Sequence, residues 1–158
     1  MPRKRVYDVS IAIERLKSYC ALQDRCQFDV LQKLKEWRLQ KATKDYILEI
    51  LITDKFVDEE RFAVSFCRGK FKTKNWGKRK ITNALKRKQI STTCINIGLK
   101  EIDDNDYNKV LEKLFHQKKN SLKDKNHFIR KTKIASFLIQ RGFESNLVWD
   151  KIRELSDK

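Results

Sequence analysis

An all-α fold, three tandem three-helix units forming an elongated, curved helical body, is what this sequence predicts. Three observations point to it. Apolar residues recur in steps of three and four from end to end, which places them on one stripe of a helix. The 158 residues contain one Pro and four Gly, too few for the many tight turns of an all-β chain. A spacing pattern also recurs: Val30, Leu34 and Leu39 have offsets of four and five, as do Ile81, Leu85 and Ile90, and Ile134, Leu138 and Phe143. Each triplet ends a helix and precedes a short polar turn. A period of about fifty residues is the mark of one small helical unit repeated and stacked.

The elements follow in order. Ile11, Ile13, Leu16 and Tyr19–Cys20 make the first amphipathic stretch, Val30, Leu31, Leu34, Trp37 and Leu39 the second, and Tyr46, Ile47, Ile50 and Leu51 the third. Phe62, Val64, Phe66 and Phe71 form the fourth, Ile81, Leu85 and Ile90 the fifth, and Ile95 and Leu99 the sixth. Tyr107, Val110, Leu111, Leu114 and Phe115 make the seventh, Ile134, Phe137 and Leu138 the eighth, and Leu147, Val148, Ile152 and Leu155 the ninth. Thr43, Asp58, Ser91 and Asp103 are candidate N-caps, since their side chains accept from the free N–H groups of a first turn. Glu59 and Glu60 add negative charge where the helix dipole favours it, and read as a solvated first turn. The units are expected at 1–56, 57–102 and 103–158. Three short helices bury little alone, so neighbouring units should share apolar surface.

The charge narrows the function. Lys and Arg number 37 against 21 Asp and Glu, a net +16. Such an excess suits a polyanionic partner: nucleic acid, an acidic protein or an anionic membrane. No apolar run approaches the roughly 20 residues of a membrane span, which argues against the membrane. Met1 to Tyr7 is basic with no signal-like apolar stretch after it, so a soluble, cytoplasmic protein is expected. Cys20, Cys26, Cys67 and Cys94 lie far apart, and neither His116 nor His127 stands at metal-ligand spacing with them. They read as small thiols in a reducing compartment, with no metal or cofactor.

Nothing resembles a catalytic site. Gly77-Lys78 matches only the end of a phosphate-binding loop, without the upstream Gly and with Arg where Ser or Thr belongs. Asp58, Glu59 and Glu60 are consecutive, so a helix points them in different directions. The informative segment is RGKFKTKNWGKRKITNALKRK, residues 68–88. It carries Arg68, Lys70, Lys72, Lys74, Lys78, Arg79, Lys80, Lys86, Arg87 and Lys88 and no acid. Phe71 and Trp76 lie between the cations, and such rings either stack on bases or fill a core; Trp76 reads better as core. Gly77 opens a helix whose free N–H groups could hold an anion. A second cluster, Lys118, Lys119, Lys123, Lys125, Arg130, Lys131 and Lys133, is open between a solvated loop and a binding surface.

These residues carry a family resemblance. FVDEERFAVSFCRGKF followed by WGKRKITNALKRKQI resembles the central signature of the RecX family of bacterial recombination regulators. Phe56, Val57, Asp58, Glu59, Arg61, Phe62 and Ala63 supply its first part, and Gly77, Ile81, Leu85, Lys88 and Ile90 its second. Leu138, Arg141, Gly142 and Phe143 match a helix ending in Arg-Gly-Phe. Arg25, Cys26, Asp29, Val30, Lys33 and Leu34 match the first unit loosely. The similarity runs from about Asp8 to Leu155 and implies three tandem three-helix units. It also implies binding of the RecA recombinase or its DNA filament and damping of its activity, by a monomer without catalytic residues. Arg61 joins the ten cations above as the expected partner surface. Three departures stand out. Gln89 and Arg38 replace a helix-ending Gly and should alter those turns. Cys26 replaces a Ser cap and should weaken that helix start. The alternative is direct DNA binding, with Lys78 to Lys88 in a major groove and Asn83 as the one residue suited to adenine.

Overall fold

A computed structural model of the chain describes residues 8–156. The expectations placed on Met1 to Tyr7, and the outer limits of the first and third units, lie outside the described residues. Within these, nine helices and no strand are present. They are α1 (Val9–Leu22), α2 (Gln27–Glu36), α3 (Lys41–Thr53), α4 (Glu59–Lys74), α5 (Lys78–Arg87), α6 (Thr92–Leu99), α7 (Asp104–Ser121), α8 (His127–Gln140) and α9 (Ser145–Ser156). Packing groups them in threes: α1 and α2 lie on α3, α4 to α6 pack together, and so do α7 to α9. Polar ties run from the first trio to the second and from the second to the third, giving a serial, elongated body.

The recurring triplets form the spine of each trio. Val30 and Leu34, Ile81 and Leu85, and Ile134 and Leu138 are all buried. Ile90 and Phe143 complete their triplets inside the core, whereas Leu39 is only half-buried. Two cores result. Ala12, Leu16, Val30, Leu34, Ile47 and Leu51 fill the first trio. A second core is continuous through the other two trios, and from the first trio it takes only the buried Cys26 and the partly buried Phe28. Sharing of apolar surface is therefore strong at one joint and slight at the other. Within the second trio α6 lies hard against α4, because a Cβ on Gly98 would stand 2.7 Å from the Ala63 carbonyl oxygen and 2.8 Å from Cys67 Sγ.

Helix starts explain where the chain turns. Asp58 accepts from Arg61 N–H at 2.9 Å, Ser91 from Cys94 at 3.2 Å and Asp103 from Asp106 at 3.0 Å. Thr43 does not cap α3. That helix opens at Gln40, two residues after Arg38 turns left-handed, so Thr43 already lies in its first turn. Nor is the start of α2 left weak by Cys26. The Cys26 N–H donates to Asp29 at 3.3 Å, and the Gln27 N–H donates to Glu59 of α4 at 3.0 Å. Glu59 is accordingly a half-buried cap for another helix, its carboxyl raised above its ordinary range chiefly by burial, and not part of a solvated turn.

The turns after the triplets also correct an expectation. Arg38 and Gln89 adopt the left-handed backbone of a terminal Gly, with φ of 54° and 61°, as Gly142 does at 102°. At Gln89 and Gly142 the reason is burial: Ile90 N–H reaches Leu85 C=O at 3.1 Å and Phe143 N–H reaches Leu138 C=O at 3.2 Å, closures that turn each side chain into the core. A left-handed non-Gly residue costs about 1–2 kcal/mol, less than the roughly 1.5–3 kcal/mol of burying an Ile or Phe.

Two outcomes follow. Gln89→Gly should raise stability by about 1 kcal/mol, read as a melting midpoint higher by about 2–4 °C in circular dichroism. Burial raises the Cys26 thiol to about 12 and Cys67 to about 11. A disulfide-exchange reagent at pH 8 should therefore label the half-exposed Cys94 first and these two only on unfolding.

Candidate partner interface

The basic segment is organised by the start of α5. Gly77 N–H donates to the Arg141 carbonyl at 2.8 Å, Lys78 N–H to the Tyr107 hydroxyl at 3.0 Å and Arg79 N–H to the Gly142 carbonyl at 2.9 Å. These N–H groups are taken by the third trio, so the helix start is not the anion site the sequence suggested. Two glycines allow the approach. A Cβ on Gly77 would lie 2.2 Å from the Gly142 carbonyl carbon, and one on Gly142 would lie 2.3 Å from Lys80 Cβ. Arg141 adds a bond from its guanidinium to the Lys74 carbonyl at 3.2 Å. Tyr107 donates in turn to the Glu144 carboxylate, and burial together with that bond keeps its hydroxyl protonated well above the usual tyrosine range.

Seating α5 in this way forms a groove of about 310 Å³ between α5 and the end of α8. Trp76, Arg79, Lys80, Asn83 and Arg87 line one side, and Ile139, Gln140 and Gly142 the other, with no carboxylate among them. Trp76 is half-buried, packed edge-on to Phe66 at 6.5 Å, so it serves both as core edge and as groove wall. Lys70 and Lys80 place their ammonium groups 4.9 and 4.6 Å from its ring. Phe71 is buried against Tyr107 and offers no stacking face.

Apart from Lys70 and Lys80, which lie against the Trp76 ring, the expected partner residues divide into two sets. Arg61 clamps the joint between the first two trios: its Nε is 3.0 Å from Asp24, and its other nitrogens donate to the Lys55 and Phe56 carbonyls at 3.0 and 3.2 Å. Lys88 lies 2.5 Å from Asp29 on α2, Arg68 is 2.6 Å from Glu101, and Lys78 is 3.7 Å from Asp104. These four have internal partners. Lys72, Lys74, Arg79, Lys86 and Arg87 are exposed and form no ion pair among the described residues. Lys70 and Lys74 instead line a mixed-charge cleft of about 470 Å³ toward the first trio, with Asp24, Arg25, Asp29 and Lys88. Sequence reasoning missed Ile139 and Gln140, which lie more than fifty positions from the α5 cations they face. The Arg-Gly-Phe match around Gly142 was the one signal near them.

Comparison with known proteins now bears on the fold. Residues 58–99 match the second three-helix domain of RecX, and residues 105–152 match the third. The chain belongs to the RecX family. The family's regulatory protein from Prosthecochloris aestuarii is 27% identical over 150 residues, covering 94% of this chain and 95% of that one. The one from Lactobacillus johnsonii is 25% identical over 138 residues, and there the match spans 87% of this chain but only 51% of the relative, about half its length. The crystal structure of RecX from Lactobacillus salivarius superposes with a TM-score of 0.83 at 21% identity, over 95% of this chain and 97% of that one. A second crystal structure of regulatory protein RecX gives 0.83 at 23% identity, over 95% and 73%. Both likenesses concern the fold. The RecX domain spans begin beside the caps Asp58 and Asp103, so the α5 seat lies where the two matched domains meet.

The seat has a measurable signature. Tyr107→Phe removes the acceptor of Lys78 N–H and the donor to Glu144, which should cost about 1–3 kcal/mol. Gly142→Ala meets both a positive φ and backbone contact and should cost more. Urea melts check both. Equal stability of the Tyr107→Phe protein would show that the hydroxyl bonds contribute nothing.

Proposed function

We propose that this protein regulates the RecA recombinase by lying on its DNA filament and lowering its ATPase and strand-exchange activity, with no catalysis of its own. The reading takes the chain as three units, 1–56, 57–102 and 103–158. What supports it is the carboxylate-free groove of Arg79, Lys80 and Arg87 beside Trp76, at the joint between two trios that share one core. A serial helical body suits an extended filament groove better than a closed pocket. Cations at such a joint meet phosphate while the flanking helices touch protein, and bridging of neighbouring protomers opposes the movements of ATP turnover.

Direct DNA reading is less well supported. A recognition helix presents its N-terminal residues to base edges in the major groove. In α5 that end is held against the Gly142 turn and Tyr107. The exposed Asn83 lines the α5 groove, on the face turned toward α8.

The test is a titration of ATP hydrolysis and strand exchange on preformed filaments of the cognate recombinase. Wild-type protein should lower both, and a triple Arg79→Ala, Lys80→Ala, Arg87→Ala variant should be weaker. The same variant should flatten the salt slope of single-strand binding by about two units, at roughly 0.7 per phosphate contact. If both activities are untouched while bare DNA is bound tightly, the regulator reading fails and direct DNA binding replaces it.

A further inference from the structure

The corner between α7 and α8 carries the second basic cluster, and its geometry is built. Arg130 donates from one nitrogen to the Asp124 carbonyl at 3.2 Å and from another to the Lys119 carbonyl at 3.4 Å, which fixes the connection to both helices. Asn126 caps α8 by accepting from Ile129 N–H at 3.1 Å. Asp124 is the one carboxylate between Lys118 and Lys133, and Lys133 takes it at 2.8 Å. That bond holds the Asp124 carboxyl below its ordinary range. Among the described residues Lys118, Lys119, Lys123, Lys125 and Lys131 form no ion pair, and Arg130 shares the charge of Asp124 with Lys133. Lys119, Lys125, Arg130 and Lys131 stand around a hollow of about 350 Å³ whose floor includes Phe115 and Ile134, and among the described residues no carboxylate lines it.

Phe128 supplies the second observation. It is 78% exposed in the first turn of α8. A lone exposed apolar side chain is ordinary. This one lies about 100° around the helix from His127 and one turn from Lys131, both of which line the hollow. Cationic walls, an apolar floor and, on the residue next to the lining His127, a bare aromatic ring form a surface for a polyanion that also has flat apolar faces. An acidic peptide would use the charges and leave the ring idle.

We propose that the α7–α8 corner is a second binding station, for single-stranded nucleic acid, in which Phe128 stacks on a base and Lys119, Lys125 and Lys131 meet phosphates. Lysine suits this role as a point charge on a mobile stem that needs no fixed phosphate orientation. The station sits on the third trio, apart from the α5 groove, and requires only the chain and a strand. It therefore stands or falls independently of the recombinase reading.

The experiment is fluorescence anisotropy of the full chain with labelled oligothymidylate across a salt series. Phe128→Ala should weaken binding about tenfold, within the range for one stacked base, while Phe128→Tyr keeps the ring and the affinity. Lys125→Ala with Lys131→Ala should flatten the salt slope by about 1.4. All three positions are exposed, so the variants should keep the wild-type helical circular dichroism. The α5 triple variant, measured alongside, separates the two sites. If only that variant moves oligothymidylate binding, the proposal is overturned. It is equally overturned if the corner variants lose polyglutamate but keep oligothymidylate, which would make the corner an acidic-protein surface.

Discussion

The start of α5 rests on the carbonyls of Arg141 and Gly142 and on the Tyr107 hydroxyl, and the arrangement of the second and third trios depends on that contact. Free N–H groups at a helix start need acceptors. Here they come from a turn about sixty residues away in sequence, across a glycine-to-glycine approach with no room for a Cβ on either side. The contact continues one core through two trios and fixes the groove that gathers Arg79, Lys80 and Arg87. It also takes up the Gly77, Lys78 and Arg79 N–H groups, so the phosphate contacts proposed for the groove would rest on its side chains.

The joint to the first trio is of another kind. Apart from Cys26 and Phe28 its ties are polar: Arg61 to Asp24 and to two carbonyls, Glu59 to the Gln27 N–H, and Lys88 to Asp29. Such pairs weaken with salt far more than buried apolar contact does. Glu59, Arg61 and Lys88, all in the acidic and basic segments that carry the family resemblance, thus hold trios together. Sequence reasoning assigned two of them, Arg61 and Lys88, to a partner surface, because cations that bind a phosphate and cations that bind a carboxylate of the same chain look alike in a string of letters.

Much of the fold was legible because helical periodicity and triplet spacing are local properties. Ile81, Leu85 and Ile90 announce a helix and its end whatever lies around them. The left-handed turns at Arg38 and Gln89 were not legible, since the residue types argue against them. Burial of Ile90 outweighs the local cost at Gln89, and burial is a property of the assembled core. Cys26 misled for a similar reason: its helix is capped by Asp29 nearby and by Glu59 from another trio.

The sequence by itself determined nine amphipathic helices, a repeat of about fifty residues, a net charge of +16 and an acid-free basic segment. Each depends on residue order and composition alone. Only the tertiary structure decided which cations are bound internally and which face solvent, that Phe71 is core while Trp76 is a groove wall, and that Gly77 and Gly142 touch. Those outcomes depend on residues many helices apart being brought within bonding distance. That proximity is created by packing, and no local pattern encodes it.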